Sequence, residues 1–292
     1  MVFRCFKSLR IHSLPRSASA VVVFFILPGL LTSSALAQGP PKIRLANIST
    51  RLAVGTGNNV LIGGFIITGS KPKKVLIRGM GPSVPVIANL GDPVLELHNS
   101  TGALVTTADN WRDTQQDLVK ATTIPPRNDY EAAMLKILNP GAYTAILAGR
   151  GNTTGVGLVE VYDLDGAVDS KLANISTRGF VSKGDNVLIG GTIIVGSGTT
   201  SVLFRGIGPS LQGVLTLKNP TLELYNGQGA LIAMNDNWQD TQAAEIIATT
   251  IPPTDARESA ILRQLSPGAY TAVLRGKDNG FGVAVVEAYQ IN

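Results

Sequence analysis

Two short segments gather the residues best suited to chemistry. Asp109-Asn110-Trp111-Arg112-Asp113-Thr114-Gln115 returns 127 positions later as Asp236-Asn237-Trp238-Gln239-Asp240-Thr241-Gln242. Two carboxylates and an amide crowded between strands can offer oxygen ligands to a hard cation, which makes calcium a candidate. Trp111 and Trp238 would supply flat apolar faces of the kind a sugar ring stacks on. The plainer account is an Asx-turn that caps a following helical turn, with the tryptophan folded into the core. It is favoured because no complete ligand spacing is visible. Asp109, Asn110, Trp111 and Asp113, with Asp236, Asn237, Trp238 and Asp240, are therefore the ligand or metal candidates.

A residue that carries duplicated chemistry should occur in both copies. The other shared acids are Glu96/Glu223, Glu131/Glu258 and Glu160/Glu287, and the shared base inside a strand is Arg78/Arg205. Glu160 lines one strand face with Leu158 and Tyr162, and Arg78 shares a face with Leu76, so charges stand on partly apolar faces. Such charges are tolerated when paired, and we expect structural ion pairs Arg78–Glu160 and Arg205–Glu287. A serine-hydrolase set finds no support: His98 becomes Tyr225 in the second copy, and no Gly-x-Ser-x-Gly occurs. Paired carboxylates of a glycosidase would need a deep cleft, for which the short units leave little chain. The Gly-x-Gly-Pro-Ser turns lack the lysine and the strand-to-helix context of a phosphate loop.

These residues sit in one unit written twice. Residues 45–165 align without a gap on 172–292, and 65 of the 121 positions are identical. Within the first unit, apolar or alternating runs at 60–67, 74–78, 94–98, 103–107, 132–138, 142–148 and 156–162 predict strands. Asn99-Ser-Thr-Gly102 and Asn139-Pro-Gly141 mark hairpin turns, and residues 114–121 predict a helical turn or two. Seven or eight short strands in a glycine-rich unit of ordinary domain size predict an all-β fold. The expected architecture is two tandem antiparallel β-sandwich domains of jelly-roll-like form. We place them at 45–165 and 172–292, with a leader at 38–44 and a short linker at 166–171.

Residues 1–37 read as a secretory signal peptide. Arg4, Lys7, Arg10 and Arg16 precede the apolar run Val21–Leu27, and Ala35-Leu36-Ala37 predicts cleavage between Ala37 and Gln38. The run is too short to span a membrane comfortably, so no span is expected after cleavage. Removing this segment takes four basic residues and no acid from the 25 basic and 20 acidic ones, so +5 becomes +1. It also removes Cys5, the sole cysteine. A near-neutral, cysteine-free chain has no electrostatic footprint for nucleic acid and no thiol metal cage.

The phrases Leu-Ala-Asn-Ile-Ser-Thr-Arg, Asn-Val-Leu-Ile-Gly-Gly, Arg-Gly-x-Gly-Pro-Ser, Asp-Asn-Trp and Pro-Gly-Ala-Tyr-Thr-Ala resemble a repeat of secreted bacterial proteins, over nearly all of 45–292. More loosely, the order Leu-Glu-Leu, Asp-Asn, Pro-Gly-Ala-Tyr-Thr is similar to the bacterial pre-peptidase C-terminal type of β-sandwich. The resemblance implies a secreted location and modular, accessory use, and it brings no catalytic residues. The expected function is that of a secreted, non-catalytic binding or adhesion protein, with an extracellular glycan or envelope component as partner. A hydrolase using Asp/Glu pairs and a self-associating envelope or matrix protein are the alternatives.

Overall fold

Strand alternation sets the layers. In Pro93–Asn99, Leu95 and Leu97 point inward and are buried, while Val94, Glu96 and His98 point outward. The same period of two runs through most strands of the computed structural model, which describes residues 42–57, 59–184, 186–213 and 215–291. The expected signal segment, its Ala37/Gln38 cleavage point and residues 38–41 of the leader lie outside these.

In the first copy the strands are β1 (Arg44–Val54), β2 (Leu61–Gly69), β3 (Lys73–Met80), β4 (Pro93–Asn99), β5 (Leu104–Ala108), β6 (Ala132–Leu138), β7 (Gly141–Gly149) and β8 (Gly155–Asp163). Helix α1 (Gln116–Ala121) precedes β6. The second copy repeats the order as β9 (Ser170–Val181), β10 (Leu188–Val195), β11 (Thr200–Ile207), β12 (Pro220–Asn226), β13 (Leu231–Asn235), α2 (Ala243–Ala248), β14 (Ser259–Leu265), β15 (Gly268–Gly276) and β16 (Gly282–Ile291). The expected strands and the helical turn are all present. The all-β, antiparallel class holds.

Each copy contributes two four-stranded groups. The first copy supplies β6-β3-β8-β1 and β2-β7-β4-β5. The second supplies β14-β11-β16-β9 and β10-β15-β12-β13. These groups do not end at the boundary between copies. Strand β1 pairs with β10 from Arg44↔Val195 to Arg51↔Ile189, and β9 pairs with β2 from Gly69↔Ser170 to Ile62↔Arg178. Two eight-stranded runs result, each half from one copy and half from the other. A single pair, Leu45↔Leu172, links them.

This differs from the expected division at a 166–171 linker. Strand β9 already begins at Ser170, and both copies belong to one unit, Gly39–Asn292. The physical reason lies in the edges. Alone, each copy would expose β1 and β2 as unpaired edges, and pairing them across the boundary satisfies their N–H and C=O groups.

One core lies between the layers and runs through both copies, with Leu52, Phe65, Ile77, Leu95, Leu147 and Val159 in the first and Phe204, Leu222, Leu274 and Val286 in the second. Burying one such side chain is worth about 1.5–3 kcal/mol. Each copy adds a smaller outer core beneath its short helix: Leu76, Trp111, Val119 and Ala133, then Leu203, Trp238, Ile246 and Ala260. Among the described residues no helix is long and apolar enough to cross a membrane.

Candidate functional site

The Asp-Asn-Trp segments form the floor of those outer cores. Trp111 is only 3% exposed and its indole N–H donates to the Asn128 carbonyl at 3.1 Å; Trp238 is 6% exposed and donates to the Asp255 carbonyl at 3.2 Å. Neither ring presents the face for sugar stacking that the sequence suggested. The Asn110 amide donates to Asp113 Oδ2 at 3.3 Å, and Asn237 to Asp240 at 3.1 Å, so each loop is closed on itself by side chains three residues apart. Asp109 pairs with Arg150, and Asp236 with Lys277. Among the described residues no group of three or more histidines or acids is placed to hold a metal ion. The segments are turns that seat a buried tryptophan, as in the plainer sequence reading, but they do not cap the helices: α1 and α2 follow Gln115 and Gln242 with no side-chain cap.

The ion pairs form. Arg78 and Glu160 are cross-strand partners on β3 and β8, and the Arg78 guanidinium donates to Glu160 Oε2 through both Nε, at 2.9 Å, and Nη2. Its Nη1 donates to the Ile124 carbonyl at 2.8 Å, fastening the loop after α1 to the sheet. Arg205 repeats this with Glu287 and the Ile251 carbonyl. Tyr162 and Tyr289 donate to these carboxylates at 3.0 Å. Burial first, and then the adjacent carboxylate, push both phenols up to about 12.

The buried carboxylate of Glu131 explains the Arg-Gly-x-Gly-Pro-Ser turn. It accepts from the backbone N–H groups of Gly81 (3.2 Å) and Ser83 (2.8 Å) and from the Ser83 hydroxyl (2.9 Å). A Cβ at Gly81 would drive into the Leu90 carbonyl, so only glycine lets the turn approach. Glu258, Gly208 and Ser210 repeat the arrangement. Most of the acids and bases shared by the copies are thus scaffold. Copy-specific chemistry must be sought among residues that the copies do not share.

One such difference opens a groove. On the outward face of β4, β7, β2 and β9, Glu96, Ile146, Ile62 and Arg178 stand in one cross-strand row. They line a hollow of about 470 Å³, whose floor is completed by Val60, Val94 and Ala148. That volume lies within the range of small-molecule sites. In the second copy the position of Ala148 is Arg275, whose guanidinium reaches Glu223 (3.5 Å) and the Gly184 carbonyl (3.2 Å). Glu223 and Gly184 are the counterparts of Glu96 and Gly57, two residues of the groove wall. The second copy fills with its own side chain what the first leaves open.

The groove has charge at both ends. Glu96 accepts from His98 Nε2 at 2.9 Å, while His98 Nδ1 faces the Gly102 carbonyl at 3.1 Å. Both ring nitrogens meet oxygen acceptors, which only the imidazolium can satisfy, and the hydrogen bond to Glu96 raises the His98 pKa most. At the other end the exposed Arg178 side chain has no ion pair or hydrogen bond among the described residues. Two residues along β9, Phe180 lies 6.4 Å from Phe281 between ring centroids, and both are partly exposed. Their first-copy counterparts are Ala53 and Thr154, a second departure from symmetry beside the first. Composition and motifs did not flag this site. The signal was present as differences between the copies at 148/275, 53/180 and 154/281.

No family model matches the chain, and no curated protein matches it. Among solved structures, a DUF4785 family protein from Legionella pneumophila is 9% identical, with a TM-score of 0.28 over 84% of this chain and 61% of that one. The chain thus spans about 61% of that protein's length. A chain of the Sulfolobus turreted icosahedral virus is 11% identical, with a TM-score of 0.23 over 86% and 89%. Scores this low transfer neither fold detail nor function, and the reading of the site stands on the geometry above.

Proposed function

We propose that this is a secreted, non-catalytic binding protein, and that the first-copy groove is its ligand site. The basic, apolar and A-x-A pattern of residues 1–37 and the resemblance to secreted bacterial repeats support the location. The observation that carries the binding reading is the pair Ala148/Arg275. One copy of a common scaffold keeps a hollow that the other copy plugs with an arginine anchored at two points. The non-catalytic reading is supported by the shared acids, which are largely engaged with arginine, lysine, side-chain amides or backbone N–H groups.

The test is retention of the chain without residues 1–37 on insoluble polysaccharides and cell-envelope fractions, compared with the variant Ala148→Arg. The variant copies the second repeat's own residue and should fold with an unchanged melting temperature. Loss of retention is the expected result. Equal retention of both proteins would place the ligand elsewhere.

A further inference from the structure

Resting on that reading, we infer that the groove takes an aliphatic chain ending in a carboxylate, its body on the floor and its head on Arg178. The floor is wholly aliphatic: Val60, Ile62, Val94, Ile146 and Ala148 carry no polar side-chain atom. A sugar would leave hydroxyls unpaired against that surface, whereas methylene groups gain from it. The cross-strand row sets the length. From β4 to β9 there are three strand spacings, so Glu96 and Arg178 stand on the order of 14 Å apart.

The ends then set the polarity. Arg178 is a guanidinium without a partner among the described residues, suited to a bidentate carboxylate. Phe180, next outward on the same strand, removes water from beside it and so strengthens a pair made there. Glu96 at the opposite end is already paired with His98 and offers no donor to an anion, which leaves Arg178 as the carboxylate's partner. The symmetry-related row keeps the two charged ends, with Arg51 in the place of Arg178 and Glu223 in that of Glu96, but Arg275 covers its floor and Ala53 stands where Phe180 would be.

The probes are decanoate and its uncharged and cationic analogues, decanol and decyltrimethylammonium, titrated calorimetrically into the chain without residues 1–37. Decanoate should bind about tenfold more tightly than decanol, the difference made by one charge-assisted contact, and the cation should bind worst. Arg178→Gln should remove the preference for decanoate while leaving decanol unchanged, and Arg178→Lys should keep part of it. Ala148→Arg should remove all binding. If decanol and decanoate bind equally and Ala148→Arg abolishes both, the carboxylate assignment is wrong while the groove stands. If Ala148→Arg leaves decanoate binding intact, or no probe binds at all, the aliphatic-carboxylate assignment falls; retention on envelope fractions then decides separately whether the groove is a site.

Discussion

Leu45 and Leu172 are the same residue of the repeat, 127 positions apart, and they pair with each other where β1 meets β9. An operation exchanging the two copies must pass through that pair. The flanking ladders obey it, since β1 on β10 and β9 on β2 are the same contact made twice. The arrangement is that of a two-fold dimer whose subunits have been joined in one chain.

Two outcomes follow for folding. With a continuous core and shared sheets, residues 38–292 should unfold in a single transition whose calorimetric and van't Hoff enthalpies agree. The first copy expressed alone, residues 38–165, would expose β1 and β2 as edges and should pair them with a twin, eluting as a dimer. Two resolved transitions, or a stable monomeric half, would contradict the shared-sheet account.

Much of this was legible beforehand, but not the joint. The strands of each copy followed from alternation and turn residues, and the Arg78–Glu160 pair from charges on apolar faces. Strand β1 escaped because Asn47, Ser49, Thr50 and Arg51 break its apolar pattern. Asn47 and Thr50 are nonetheless buried, since strands flank β1 on both sides and supply acceptors: Thr50 Oγ1 donates to the Ile189 carbonyl at 3.2 Å, and Asn47 reaches the Val161 carbonyl at 3.5 Å. The groove escaped for a different reason. Identity between copies is what duplicated chemistry would leave, yet identity here tracks the scaffold. Ala148 acquires meaning only once its counterpart Arg275 is seen to lie against Glu223.

The copies also contain a natural experiment in buried charge. Lys73 and Asp163 have fully buried side chains 3.1 Å apart, and Lys73 Nζ also donates to the Asp165 carbonyl at 2.6 Å. At the same places the second copy has Thr200 and Gln290, joined by a neutral hydrogen bond of 3.1 Å. Lys73→Thr alone strands a buried carboxylate beside the partly exposed Arg44 and should cost about 3–5 kcal/mol. Adding Asp163→Gln should recover most of that loss, to within ~1 kcal/mol of the parent. Urea denaturation of the four proteins of the cycle measures the coupling, and additive effects would refute it.

Asp92 presents the opposite case, a first-copy charge that the scaffold does not satisfy. Its Oδ1 and that of Asp109 are buried without a hydrogen-bond partner among the described residues. Burial raises the Asp92 pKa, the Asp109 charge adds to this, and Arg150 opposes it. The counterpart Asn219, with its amide assigned in the orientation that its neighbours require, donates to Asp236 Oδ1 at 3.1 Å and to the Arg257 carbonyl at 3.0 Å. A native pKa raised above 3.8 means that stability is full below that value and falls as pH climbs through the raised one. Asp92→Asn should therefore stabilise the protein at neutral pH by about 1 kcal/mol, the worth of one hydrogen bond. The gain should vanish near pH 3, where the parent carboxyl is itself a donor. Melting curves at the two pH values decide it, and a gain of equal size at both would exclude the carboxylate as cause.

At the alkaline end the same linkage acts through Tyr162 and Tyr289. Their pKa values rise from 10.0 to about 12, chiefly through burial and then through Glu160 and Glu287. A raised native value again means stability present below the unfolded pKa and lost above it, here between about pH 10 and pH 12. Phenolate absorbance of these two residues should appear together with loss of the folded circular dichroism signal, after any exposed tyrosines have titrated. Replacing both with phenylalanine removes that late step and pushes alkaline unfolding to higher pH. It also deletes the hydroxyls that donate to the two glutamates, at a cost of about 1 kcal/mol each at neutral pH. The paired signature is lower stability at pH 7 with weaker pH dependence above 10. A variant that merely loses stability equally at both pH values would show that the phenols do not control the alkaline transition.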